Sequence, residues 1–221
     1  MAKVLKIDAG VAEIADSQYA DDETITKVVI PSSVKKIGKS AFAGCSALES
    51  VEIADGLTAI GSKAFRGCGA LKSIALPASL VNFADGQMIF ANCRALESVE
   101  FKGAIDGICH CCFDGCAALK TVVFSGGIGA DRFGSHTWNY GAFSGCKNLA
   151  IEVPAGVTEL QSHVFDGCAF TEVVLPDTIK NIYEYAYANC AGLLSITYPK
   201  SAWIGRGAFQ GCDKKLKKIK K

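Results

Sequence analysis

The stretch "IPSSVKKIGKSAFAGCSALESVEI", Ile30–Ile53, decides how this chain folds. Its centre, Phe42-Ala43-Gly44-Cys45, returns as Phe65-Arg66-Gly67-Cys68, Phe90-Ala91-Asn92-Cys93 and Phe113-Asp114-Gly115-Cys116. Later copies end in Cys146, Cys168, Cys190 and Cys212, and successive cysteines lie 23, 25, 23, 30, 22, 22 and 22 residues apart. A degenerate first copy, Tyr19-Ala20-Asp21-Asp22, carries Asp22 in the cysteine's place. A recurring period of this size marks a repeat architecture. Residues 1–221 therefore read as a single solenoid domain of about nine repeats, with the last strand incomplete.

Working outward from the cysteine, Leu48, Val51 and Ile53 alternate with polar residues, which is the pattern of a short half-buried strand. In the next copy the run Leu71, Ile74, Leu76 is closed by Pro77. A second apolar pair follows, such as Val34 and Ile37 or Leu57 and Ile60, and Gly-x-x-Ala-Phe leads back to the cysteine. One unit cannot bury both its strand face and its phenylalanine, but stacked units share a continuous core. Parallel strands about 4.8 Å apart make nine copies an arc roughly 40 Å long. The expected fold is a β-rich repeat solenoid with one short parallel strand per repeat and mostly irregular return segments.

The positions Pro31, Val34, Ile37, Gly38, Ala41, Phe42, Gly44, Cys45, Leu48, Val51 and Ile53 resemble the BspA-like class of bacterial leucine-rich repeats, over residues 4 to 219. The resemblance implies a curved right-handed leucine-rich-repeat solenoid that mediates adhesion or binding on a cell surface. The first residues, "MAKVLKIDAGVAEIADSQ", hold no uninterrupted apolar stretch and do not read as a secretory signal, so the chain as it stands reads as cytoplasmic.

A formal charge of +1 argues against general affinity for nucleic acid or anionic lipid. No apolar run reaches the ~18 residues of a membrane span. "GSHTW" does not match a nucleophile elbow, and the glycine-rich "SGGIGADRFG" lacks the Lys-Ser/Thr of a phosphate loop. No nucleophile, base and orienting group can be assembled, so neither an enzyme nor a cofactor is expected. A monomer with a protein or glycan partner is.

Cysteine needs separate treatment. "ICHCCFDGC", Ile108–Cys116, crowds four cysteines around His110. Cys116 is the repeat cysteine, Cys112 falls at the Ala41 position and Cys109 at the Gly38 position. His110 and Cys111 fall where Lys39 and Ser40 stand, and so are expected at the surface. The alternative is a small metal or redox centre on Cys109, His110 and Cys111, which would need further converging ligands. Elsewhere one cysteine per repeat predicts a ladder of buried thiols. Parallel stacking holds equivalent Cβ atoms farther apart than the ~3.8 Å of a disulfide.

Two surfaces are candidates for binding. The 30-residue interval before Cys146 holds an insertion. Counting forward puts Ile128 at the usual valine position, and counting back puts Trp138 at the usual isoleucine position. This leaves "GADRFGSHT", Gly129–Thr137, as a rim loop with Asp131, Arg132, Phe133 and His136 as its notable side chains. The other surface is the outward side of the strands: Val29, Glu52, Ala75, Glu100, Val123, Glu152, Val174 and Thr197. Beside it runs Lys27, Ser50, Ser73, Ser98, Thr121, Ala150, Glu172 and Ser195. Its acids Glu52, Glu100, Glu152 and Glu172 are candidate contacts. In the tail "KKLKKIKK", Leu216 and Ile219 are expected to continue the Leu and Val core positions while the lysines cap the open end.

Overall fold

The computed structural model describes residues 2–83, 85–128, 133 and 141–221. Strands are the regular structure of these residues. They are β1 (Lys3–Lys6), β2 (Glu13–Ile14), β3 (Ile25–Ile30), β4 (Lys36–Ile37), β5 (Ser50–Ile53), β6 (Ala59–Ile60), β7 (Ser73–Leu76) and β8 (Ser98–Phe101). Then come β9 (Thr121–Phe124), β10 (Glu159–Leu160), β11 (Glu172–Val174), β12 (Asn181–Ile182), β13 (Ser195–Tyr198), β14 (Trp203–Ile204) and β15 (Lys217–Lys220). Their pairings are parallel, as stacked coils of near-equal length require. The main row runs β1-β3-β5-β7-β8-β9, and later β11-β13-β15.

A second row, β2-β4-β6 and β10-β12-β14, consists of two-residue strands. The sequence pattern predicts one strand per repeat and an irregular return. The return is not irregular at this point. Equal spacing brings Ile14, Ile37 and Ile60 side by side, and their backbones pair as well as their side chains.

The turn that carries the signature forms a third ladder. The Phe42 N–H donates to Ala64 O at 2.8 Å, Phe65 to Ile89 O at 3.0 Å and Phe90 to Cys112 O at 2.9 Å. The residue before each cysteine has a left-handed backbone, with φ of 75° at Gly44 and 62° at Asn92. Glycine and asparagine adopt that conformation most readily, which is why they alternate there. The thiol of each repeat cysteine then reaches the carbonyl of the aromatic residue one repeat earlier. Cys45 donates to Tyr19 O at 3.0 Å, Cys68 to Phe42 O at 3.2 Å, and the series runs to Cys212 on Tyr187 O at 3.1 Å. All eleven cysteines are thiols. The rings stack as regularly, with near-parallel planes and centroids 5.3 Å apart for Tyr19–Phe42 and for Phe42–Phe65, 5.5 Å for Phe65–Phe90 and 5.6 Å for Phe90–Phe113. Offset stacking at this distance adds about 0.5–1.5 kcal/mol per pair to the burial of each ring.

Phe133 departs from the rim-loop expectation. It is fully buried and bridges Ile108 on one side and Leu160 on the other, in the second strand row. Its ring lies 5.6 Å from Phe143 and 5.9 Å from Phe165. Phe133 therefore occupies the isoleucine position expected for Trp138, which lies outside the described residues. Ile128 does take the valine position, bridging Ile105. A phenylalanine in a polar, glycine-rich context still partitions into the core when the register brings it there.

The tail also departs by one step. Ile219 pairs with Thr197 and is 48% exposed, and Lys218 takes the inward place beside Ile196. The Lys218 ammonium lies 5.0 Å from the centroid of Phe209, so a cation–π contact covers that ring. Four positions separate Cys212 from Leu216, against three from Cys190 to Leu193. With a side-chain period of two, a one-residue change swaps the faces.

Two outcomes follow from this packing. Phe133→Ala should lower stability by about 3–5 kcal/mol in urea unfolding, as large-to-small core changes do, whereas a surface-loop substitution would change it by about 0.5 kcal/mol or less. The thiols supply the second. Burial pushes Cys45 up to about 11 and Cys111 and Cys190 up to about 12, while an unfolded thiol ionises near ~8.5. The folded chain thus holds protons that the unfolded chain has lost. Stability is intact below that unfolded value and falls as pH rises through about 11 to 12. Urea midpoints should decline from about pH 8 to about pH 10, and by less in Cys45→Ala than in the parent chain. An unchanged midpoint, or an equal decline in both, would contradict the thiol assignment.

Candidate binding face and its break

The strand period of two sets the outward row. Val29 stands beside Glu52, and Ala75, Glu100 and Val123 stand in line. Lys27 and Glu52 form an ion pair at 2.5 Å, and the Ser125 hydroxyl donates to Glu100 at 3.1 Å. Similar pairs join neighbouring coils nearby, such as Lys120 with Glu97 at 2.8 Å. Exposed pairs of this kind contribute ~1 kcal/mol or less each. Two of the four candidate acids, Glu52 and Glu100, are thus engaged within the face itself.

The other two, Glu152 and Glu172, flank a break. After β9 the row should continue through Ala150–Val153, yet this segment forms no strand. Its spacing explains why. Leu48 to Val51, Leu119 to Val122 and Leu193 to Ile196 each span three positions, but Leu149 to Ile151 spans two. One residue of the strand is missing. The Ala150 N–H still donates to Lys120 O at 2.8 Å, the bond that Lys120 makes to Glu97 O one coil earlier. Ala150 therefore sits at the Lys120 position, and not beside Thr121 as the alternation predicts. Beyond it the chain must cover the remaining distance one residue short, and the register with β9 is lost. β11 pairs with β13 on one edge only; its other edge faces Ala150–Val153 without a backbone hydrogen bond among the described residues.

The break opens two grooves. One, of about 820 Å3, runs from Phe124 and Gly127 past Ile151–Ala155 to Val174 and Pro176, with Phe165, Phe170 and Tyr187 at its floor. The other, of about 370 Å3, separates Leu149–Glu152 from Ala169–Glu172. Both volumes fall in or near the range of small-ligand and peptide sites. Glu152 and Glu172 line both grooves and are exposed. Neither has an ion-pair partner among the described residues. Lys221, which also lines the larger groove, is held by Asp177 at 2.7 Å. Val123 and Val174, 48% and 60% exposed, flank the gap on the outward side.

The remaining candidates lie elsewhere. Asp131, Arg132 and His136 are outside the described residues. Phe133, as a core residue, presents no surface to a partner. Cys109, His110 and Cys111 are buried, contrary to the surface expected for the last two, with relative exposures of 1%, 7% and 1%. His110 bridges Gln87, and Met88 N–H donates to His110 O as Ser40 N–H does to Ser62 O, so its backbone holds the Lys39 register and only the side chain's burial departs from the comparison. Its Nε2 lies 3.1 Å from the Cys111 thiol, while its Nδ1 is buried without a hydrogen-bond partner among the described residues. Burial lowers the imidazole's pKa, which keeps it neutral. Among the described residues no group of three or more His, Cys, Asp or Glu side chains is gathered as a metal site. The Cys111 thiol, which burial holds protonated, is a poor nucleophile. His163 pairs with Asp166 of its own coil at 2.8 Å and stacks on Tyr185 of the next at 4.9 Å.

Comparison with known proteins agrees with this architecture. The family profile described as "BspA type Leucine rich repeat region (6 copies)" matches residues 12–140 and 135–221. Among curated proteins none matches the chain. A solved leucine-rich repeat protein from Bacteroides ovatus is 22% identical and superposes with a TM-score of 0.67 over 98% of this chain and 62% of its own. This chain therefore spans less than two thirds of that protein. A leucine-rich repeat protein from T. pallidum is 24% identical over 97% of this chain and 78% of its own, with a TM-score of 0.47. A leucine-rich cell surface protein from Faecalibacterium prausnitzii is 21% identical over 99% of this chain and 69% of its own, with a TM-score of 0.48. With the repeat signature, the parallel rows and the family profile in agreement, the chain belongs to the BspA-type leucine-rich repeat family.

Proposed function

We propose that the chain is a non-catalytic scaffold that binds a partner protein through the outward side of its main strand row. One observation carries this. The inward residues of every coil are consumed by packing, while the outward row aligns side chains over consecutive coils and then opens at Glu152 and Glu172 into grooves. Exposed Val123 and Val174 add apolar area to a face otherwise made largely of small, hydroxyl and acidic side chains. A protein partner suits that mixture better than a glycan, since no aromatic platform stands on the outward row.

The test places a photo-crosslinking residue at Val123 on the strand face and, separately, at Arg66 on the turn side. Each is exposed to a bacterial surface extract and to a host-cell extract. Adducts should form from position 123 and not from position 66. The captured protein, once purified, should bind Glu100→Arg at least about tenfold more weakly than the parent chain, because a charge reversal at a contact opposes association. Equal capture from the turn side, or indifference to Glu100→Arg and Glu152→Arg alike, would remove the assignment.

A further inference from the structure

We infer that the break in the strand row is a docking slot for an extended, cationic segment of a partner protein, which adds to the bare edge of β11 as a strand. This deepens the scaffold assignment and rests on it. Three observations converge. First, β11 offers backbone donors and acceptors along an edge that no described residue pairs. An extended peptide satisfies such an edge with main-chain bonds, and its alternate side chains read the pockets on either side. Second, the pockets exist: the groove floor holds Phe170 and Val173, which suit a small apolar side chain. Third, the charge is one-sided. Glu152 and Glu172 stand on opposite walls of the smaller groove, whereas Lys221 is spent on Asp177. An incoming strand that alternates valine or isoleucine with lysine or arginine would bury its apolar side chains on the floor and set its cations between the two carboxylates.

The cause of the slot supplies the decisive variant. Inserting a serine between Ala150 and Ile151 restores the three-position spacing seen from Leu48 to Val51. That segment should then pair with β9 and β11, raise the Tm and close the groove with both glutamates still present.

The probe is an end-blocked peptide of alternating valine and lysine, about seven residues long, titrated against the whole chain by calorimetry. Saturable one-to-one binding is expected. The double variant Glu152→Lys/Glu172→Lys, at exposed positions that leave the core untouched, should weaken it by about tenfold or more. Methylation of alternate backbone nitrogens of the peptide should weaken it by about as much, since strand addition needs those donors. The serine insertion should abolish binding while the Tm rises. Four results would overturn the inference: no binding of the valine–lysine peptide, equal binding of a valine–glutamate peptide, indifference to backbone methylation, or retained binding in the more stable insertion variant. A native dimer dissolved by Glu152→Lys/Glu172→Lys would assign the slot to a second copy and overturn it likewise. If the slot fails while the crosslinked partner still responds to Glu100→Arg, the scaffold assignment stands without the slot.

Discussion

The carbonyl oxygen of each core aromatic residue is the atom on which the stack depends. It is buried, and it has two lone pairs to satisfy. The N–H of its own repeat's cysteine takes one, as Cys45 N does on Phe42 O at 3.2 Å, and the thiol of the next repeat's cysteine takes the other, as Cys68 Sγ does at 3.2 Å. A buried carbonyl left short of a donor costs about 1–3 kcal/mol, and the chain would incur that at every coil. Cysteine suits the position because the thiol is small, tolerates an apolar setting and still donates. Burial raises the pKa of Cys116, Cys146 and Cys168 well above the usual thiol value, so those donors keep their protons over the physiological pH range. Once this turn is clamped, the ring is fixed, the rings stack, and both strand rows are brought within pairing distance.

The hierarchy explains what the insertion before Cys146 does and does not disturb. The turn ladder passes across it, with Phe113 N–H on Ala142 O at 2.8 Å and Cys146 Sγ on Phe113 O at 3.2 Å. The second row passes across it through Phe133. The main strand row fails beyond Cys146, for the separate reason that the step from Leu149 to Ile151 is one residue short. An added segment before Cys146 and a lost residue after Leu149 are thus both accommodated while the thiol clamp holds. The surface that faces a partner can vary while the clamp holds the coils together.

Much of this was legible in the residues. The recurring Phe-x-Gly-Cys signature predicts the stack, the core set and the outward row from Val29 to Thr197, because period-two alternation and a fixed repeat leave little freedom. The features that escaped were those decided by a single residue. Phe133 was assigned to a loop because its neighbours are glycine and charged residues, yet its distance from Ile128 lets it reach the core. Ile219 was assigned to the core because Leu216 and Ile219 copy the usual spacing, but the extra residue after Cys212 had already moved the register. The break at Ala150–Val153 could have been read from the two-position step between Leu149 and Ile151. Averaging over nine similar repeats hides such a step. Comparison with Lys39 and Ser40 places His110 and Cys111 outside, and nothing local signals that these same backbone positions are covered in their coil.

An array coupled only through nearest neighbours is as cooperative as its weakest junction. Here the junction between β9 and β11 retains the turn ladder and the Phe133 bridge but has lost the main row. The coils before it and the coils after it are consequently expected to open as two cooperative blocks, each with its own amide-exchange protection. A strand seated in the gap would supply the missing coupling and fuse the two blocks into one unit. Occupancy would then be felt at both ends of the stack as a change in how the protein unfolds, with no movement of any coil required.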